Sequence, residues 1–235
     1  MNLEAIVLAG GNGERMGDLT KDKPKHLLEV NGRALIDYPM KILFDSKNIE
    51  RIILHVQEKY KNKYVERFGD GTEKIKVDYN TAFNPRIIDA LKNDVDKLKT
   101  DSFILLFGDA ITDINIDKVI DYYRKLNEEK YNVIIISPKT YQVIDSEIHK
   151  NIIKSFFTRK KESYEVCGAI LNKKDINWNI VGDNLDVIYN DLSKRKKLKA
   201  YRFFGYYKNI NTYKDLIEAE NDIKNGKTSS FLWVF

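Results

Sequence analysis

Near its start the chain sets an unbroken apolar run, Ala5 to Ala9, directly against Gly10-Gly11-Asn12-Gly13, followed by Glu14-Arg15-Met16. A short apolar run bounded by glycine predicts a strand buried on both faces of a parallel sheet. Glycine has no Cβ and tolerates positive φ, so the chain can bend sharply here and bring successive N–H groups toward one anion. Arg15 adds a forked, permanent cation and Lys25 a mobile one, which makes phosphate the predicted ligand. A tight turn without a ligand also fits the glycines taken alone. Other phosphate patterns are excluded: Met16 stands where a dinucleotide fingerprint needs its third glycine, and no glycine here leads into the Gly-Lys-Ser/Thr of a P-loop.

With 235 residues, 43% hydrophobic and 32% charged, there is material for one sizeable α/β domain and too little chain for two full-sized ones. A net charge of +5, from 40 Lys and Arg against 35 Asp and Glu, suits anionic substrates without implying nucleic acid. The basic run Lys194-Arg195-Lys196-Lys197 and Lys199 reads as a solvated turn, because no RNA-reading motif or aromatic platform accompanies it. No stretch approaches the roughly 20 apolar residues of a membrane span. Met1-Asn2 passes straight into the first strand without a signal-peptide pattern, so a cytoplasmic protein is expected. The single cysteine, Cys167, excludes an internal disulfide and reads as a small buried residue beside Gly168.

Along the chain, Leu35 to Phe44 repeats at helical spacing, Ile52 to Val56 reads as a second parallel strand, and Tyr60 to Phe68 as a charged helix. A strand over Ile75 to Tyr79, a helix from Ile87 to Leu98 and the very apolar strand Phe103 to Phe107 follow. A helix over 116–126 and a strand over 132–136 complete the alternation. This order predicts an α/β fold with a doubly wound, mostly parallel (Rossmann-like) sheet, and the alternation between Tyr141 and Leu171 adds antiparallel strands in the C-terminal half. Ligands of such sheets sit at the carboxyl ends of the strands, where Gly108-Asp109 closes the most apolar one. A carboxylate held there suits Mg²⁺, which takes oxygen donors and shares them with substrate phosphates. Asp109 also fits a turn or helix N-cap, Asp113 reads as a turn residue, and Asp117 belongs to the first turn of a helix. Thr212 with Asp215 forms a predicted capping box. The apolar end Phe231 to Phe235 either closes the core or packs on a second subunit, which leaves a homo-oligomer open.

The string Leu8-Ala9-Gly10-Gly11-x-Gly13-x-Arg15-Met16, then Leu19-Thr20, Pro24-Lys25-x-Leu27-Leu28, Asn31-Gly32 and Tyr38-Pro39-Met40, resembles the opening of the sugar-phosphate nucleotidyltransferases. These include glucose-1-phosphate thymidylyltransferases, mannose-1-phosphate guanylyltransferases and N-acetylglucosamine-1-phosphate uridyltransferases. The resemblance implies a single domain over 1–235, with a nucleotide-binding half (1–137) and a sugar-phosphate-binding half (138–235). It assigns Leu8, Ala9, Gly10, Gly11, Asn12, Gly13, Asn84 and Gly108 to the nucleotide, Arg15 and Lys25 to catalysis, and Lys160 and Gly168 to the sugar phosphate. Asp109 and Asn209 become the Mg²⁺ ligands. Asn209 replaces the aspartate of most members, but the N-acetylglucosamine-1-phosphate uridyltransferases also have asparagine there, and an amide oxygen can ligate Mg²⁺. Lys160 is matched without the family's preceding acid and following proline: Arg159 and Lys161 flank it, and the three also fit a solvated hairpin tip. Arg86 stands where most members have glycine. The stretch Asn84-Pro85-Arg86 is similar to the choline-phosphate cytidylyltransferases, and it leaves the nucleotide open.

The implied reaction is attack by the phosphate of a sugar 1-phosphate on the α-phosphorus of a nucleoside triphosphate. The attacking phosphate, with a second pKa of about 6, is already ionised at neutral pH, so no general base is needed. His26, His55 and His149 need no catalytic role on this reading. Competing readings are a cytidylyltransferase for a non-sugar phosphate such as phosphocholine or inositol phosphate, a non-catalytic regulatory member of the same fold, and a nicotinamide oxidoreductase. The last lacks its third glycine and an acidic residue after the second strand, where His55-Val56-Gln57 stands.

Overall fold

The first strand, β1 (Leu3–Ala9), is buried along its whole length in the computed structural model, which describes residues 2–11, 13–81, 86–126, 130–150 and 152–228. Asn12, Asn84 and the run 231–235 lie outside the described residues. After β1 come β2 (Glu29–Val30), β3 (Arg33–Ala34), α1 (Asp37–Phe44), β4 (Ile49–Val56), α2 (Lys61–Phe68), β5 (Lys76–Asn80) and α3 (Ile87–Val95). The chain continues through β6 (Ser102–Phe107), β7 (Ala110–Thr112), α4 (Ile116–Leu126), β8 (Asn132–His149) and β9 (Ile152–Asn172). It closes with α5 (Asp186–Lys194), β10 (Leu198–Arg202), β11 (Tyr207–Asn209) and α6 (Tyr213–Lys224). Among the described residues no helix is long and apolar enough to cross a membrane.

The main sheet has seven strands in the order β10-β8-β9-β6-β1-β4-β5. β1 is central and pairs in parallel with both β4 and β6. Successive side chains of a strand face opposite ways, so Ala5, Val7 and Ala9 enter one core with α1, α2 and α4. Ile6 and Leu8 enter a second core with Leu91 and Val95 of α3 and Ile188 and Leu192 of α5. Helices thus cover both faces, which is why the middles of β1, β4 and β6 are apolar on both sides. The sheet is the doubly wound, mostly parallel one that the strand–helix alternation predicts.

The antiparallel component takes its expected place beside the parallel core. β9 lies beside β6, between it and β8, and is antiparallel to both. β8 ends at His149 and β9 begins at Ile152, so short a link that the pairing is antiparallel, and the other edge of β9 serves β6 from Ser102↔Asn172 to Leu105↔Ala169. β8 runs without a break from Asn132 to His149, so the expected division between residues 137 and 138 falls inside a strand. Arg159, Lys160 and Lys161 are not a hairpin tip. They pair with Val143, Gln142 and Tyr141 in mid-strand, and the turn is made at Lys150, whose φ is 47°.

A small second sheet pairs β11 with β7, Asn209 lying opposite Ala110. The predicted capping box is formed: Thr212 accepts from the Asp215 N–H, and Asp215 accepts from the Thr212 N–H at 2.8 Å, starting α6. Leu216 and Ala219 of α6 then pack with Ile210, Ile111, Met16 and Leu28. This cluster clamps the C-terminal strand against the segment that follows the glycine turn.

At the opposite end of β1, Glu4 is buried and accepts hydrogen bonds from Arg51 Nη1 (2.8 Å) and from the N–H groups of Lys99 (2.6 Å) and Thr100 (2.8 Å). Burial alone would push its carboxyl up, but these donors outweigh burial and hold it below the ordinary 4.5. A carboxyl lowered by folding stabilises above its unfolded pKa and loses that contribution as pH falls through the folded one. Glu4→Gln is therefore expected to cost about 1–3 kcal/mol in urea unfolding at pH 7. The gap from wild type should close below about pH 4.

Candidate active site

β1, β4 and β6 end on the same edge of the sheet, and the cleft outside them, of about 980 Å³, is lined by Leu8, Gly10, Gly11, Gly13, Arg15, Lys25 and Asp109. This is the edge where open α/β sheets bind ligands. Gly13 has φ 70°, and a Cβ there would sit 2.9 Å from the Cβ of Lys25. The turn can therefore lie flat against the 3₁₀ turn Lys25–Leu27 only as glycine. Gly13 O accepts from Met16 N at 2.9 Å and from Thr20 Oγ1 at 3.1 Å, which fixes the end of the loop. Ala9 is buried behind the loop, and Gly108 N donates to Leu8 O at 2.9 Å, tying the ends of β6 and β1 together.

Two segments remote in sequence meet in the cleft. Lys25 Nζ donates to Asp109 Oδ2 at 2.5 Å, with the lysine side chain 9% exposed and the carboxylate 19%. Arg15 Nη2 donates to Asn211 Oδ1 at 3.2 Å. His26, between Lys25 and the core, is buried. Burial lowers its imidazole to about 4 against the pull of Asp109, so the ring is neutral at pH 7 and Lys25 supplies the positive charge beside Asp109.

Asn209 lies on the strand next to Asp109, pairing with Ala110 while Ile210 N donates to Asp109 O at 2.9 Å, but it is not among the residues that line the cleft. The Asn209 Oδ1 is buried and has no hydrogen-bond partner among the described residues. A buried acceptor left without a donor is rare. A carboxylate and an unsatisfied amide oxygen on neighbouring segments are oxygen donors of the kind Mg²⁺ takes. Among the described residues no group of three or more His, Cys, Asp or Glu could hold a metal, so an ion on these two side chains would complete its shell with phosphate oxygens and water.

Neither Lys160 nor Gly168 is brought to the lining of the cleft. Lys160 is exposed on the long β8–β9 hairpin. Gly168 lies where β9 leaves β6, and a Cβ there would meet Leu105 O at 2.6 Å, so close strand approach explains it. The cleft also takes residues that the motifs did not single out: His55, Gln57, Thr81, Ile87 and Asn211. A signal existed for the first two. His55 and Gln57 are polar residues closing an apolar strand at its carboxyl edge.

A model of the nucleotidyl transferase family matches residues 4–157. The glucose-1-phosphate cytidylyltransferase of Salmonella typhimurium is 23% identical, the match covering 98% of this chain and 100% of that one. Among solved structures, a UDP-glucose pyrophosphorylase complexed with UDP-glucose superposes with a TM-score of 0.71 at 17% identity, covering 96% of this chain and 99% of the other. The inositol-1-phosphate CTP transferase from T. maritima superposes with a TM-score of 0.62 at 20% identity, covering 96% and 97%. The structures share the fold, and the family match spans the glycine loop, Lys25 and Asp109: the chain belongs to the nucleotidyl transferase family.

Proposed function

We propose that this enzyme is a Mg²⁺-dependent sugar-1-phosphate nucleotidyltransferase, which joins a nucleoside triphosphate to a sugar 1-phosphate and releases pyrophosphate. The observation that carries the reading is the Lys25–Asp109 pair sharing one cleft with Gly10, Gly11, Gly13 and Arg15. A phosphate oxygen of the acceptor attacks the α-phosphorus as the bond to the bridging oxygen breaks, and pyrophosphate leaves with that electron pair. The acceptor is already a dianion near neutral pH, so the protein's work is to position two anions and offset their charge. The N–H groups of the glycine loop and the Arg15 guanidinium suit the β and γ phosphates. Lys25, freed from Asp109 by a competing anion, suits the α phosphate, where charge develops. Asp109 and Asn209 would hold Mg²⁺, whose positive charge would bind and polarise phosphate oxygens. Arg15, Lys25 and Asp109 are all present, which speaks against a non-catalytic regulatory role.

The Salmonella typhimurium relative and the T. maritima structure are both named for cytidylyl chemistry, so CTP is the first triphosphate to test. The second of these supports an alternative acceptor, inositol phosphate or another non-sugar phosphate, in the same cleft. A triphosphate substrate fits the cytoplasm.

The test is pyrophosphate release across the nucleoside triphosphates, each with glucose 1-phosphate, mannose 1-phosphate, N-acetylglucosamine 1-phosphate, phosphocholine or inositol 1-phosphate. Release is expected for a restricted set of pairs, and it should vanish with EDTA and return with Mg²⁺. A protein that binds no triphosphate with Mg²⁺ present would refute the assignment. Lys25→Ala is expected to lower kcat by about 10²–10³-fold, with circular dichroism unchanged. An equally active Lys25→Ala enzyme would remove Lys25 from the mechanism.

A further inference from the structure

The end of β4 holds the glycine loop with two polar side chains that also line the cleft. Gln57 Nε2 donates to Gly10 O at 3.0 Å. The His55 ring lies against Gly10 so closely that a Cβ there would be 2.7 Å from His55 Cδ2 and 3.2 Å from its Nε2. The ring is itself held. Its Nδ1 is 3.0 Å from Oδ2 of Asp94, a carboxylate on α3 with 0% exposure. A carboxylate can only accept, so Nδ1 carries the hydrogen and the ring plane is fixed. The other oxygen of Asp94 accepts from Asn80 Nδ2 at the end of β5, and Lys97 Nζ donates to Asn80 Oδ1 at 2.5 Å.

This is a costly way to fill space. Burying a carboxylate and an imidazole under a loop is less favourable than packing two apolar side chains there, so packing alone does not explain the arrangement. Its geometric consequence is specific. In a trans peptide the carbonyl and the following N–H point in opposite directions. With the Gly10 carbonyl held by Gln57 beside β4, the Gly11 N–H is turned the other way, on a residue that lines the cleft and has nothing within 4 Å of its Cβ position.

We propose that Asp94, His55 and Gln57 are positioning residues that set the Gly10–Gly11 peptide in its anion-binding orientation and thereby determine affinity for the triphosphate. Asp94 fixes the ring of His55, the ring fixes the height of Gly10, and Gln57 fixes the rotation of its carbonyl. The inference rests on the reading of this cleft as a triphosphate site. Because all three act on the loop and not on the acceptor, their loss registers on one substrate only.

The experiment measures Kd for the triphosphate with Mg²⁺ by calorimetry, together with KM for each substrate and Tm. Gln57→Met keeps length and removes the donor. It is expected to weaken triphosphate binding roughly tenfold, the scale of one lost hydrogen bond, with acceptor KM and Tm near wild type. Gly10→Ala should weaken it further, and the double variant Gly10→Ala/His55→Ala should bind better than Gly10→Ala alone, because the new methyl then has room. That coupling is a readout that a general loss of stability would not give. Wild-type binding in Gln57→Met, a Tm loss without a change in triphosphate Kd, or no recovery in the double variant would overturn the proposal. Absence of triphosphate binding in the wild type would overturn the functional reading itself.

Discussion

The ion pair between Lys25 and Asp109 is the constraint on which the site depends. Both groups are largely withdrawn from water, and a buried charge without its partner costs several kcal/mol, on the order of 3–5 when one member is removed. The pair can form only if the 3₁₀ turn that follows the glycine loop lies against the end of β6. Three local features make that possible: a left-handed glycine at residue 13, a hydrogen bond from Gly108 N to Leu8 O, and an apolar sheet that keeps β1 and β6 in register. The charge beside Asp109 then comes from lysine alone, since the neighbouring His26 is kept neutral by burial.

A second constraint comes from the far end of the chain. Asn211 reaches the cleft, and Asn209 comes to lie on the strand beside Asp109, because α6 buries Leu216 and Ala219 against Ile111, Met16 and Leu28, and because β11 has β7 to pair with. The hydrophobic effect is indifferent to chemistry, yet here it decides which amide oxygen stands next to which carboxylate. The capping box at Thr212 and Asp215 sets where α6 begins, and so where the extended chain carrying Asn209 must stop.

The hairpin of β8 and β9 shows where sequence patterning falls short. Alternation predicted antiparallel strands, and they exist, but a period of two does not say which strand edge a hairpin will occupy. The free edge of β6 took β9, and this placed Gly168 against Leu105 and left Lys160 on an exposed arm. The same limit applies to His55. Its place at a strand end marked it as a cleft residue but not what it does there, because that lies in Asp94, 39 residues later and on a helix, and in the missing Cβ of Gly10.

What the sequence determined by itself was local: which runs are strands or helices, where the glycine loop bends, and that α6 is capped by Thr212. These follow from side-chain periodicity, backbone freedom and charge, all of which act over a few residues. The tertiary structure alone decided that Lys25 meets Asp109, that Asn209 stands beside it with an unsatisfied oxygen, and that β4 props the loop through His55 and Gln57. Those contacts join segments tens to hundreds of residues apart, and which segments become neighbours is settled by how whole sheets and helices pack, not by any stretch of chain alone.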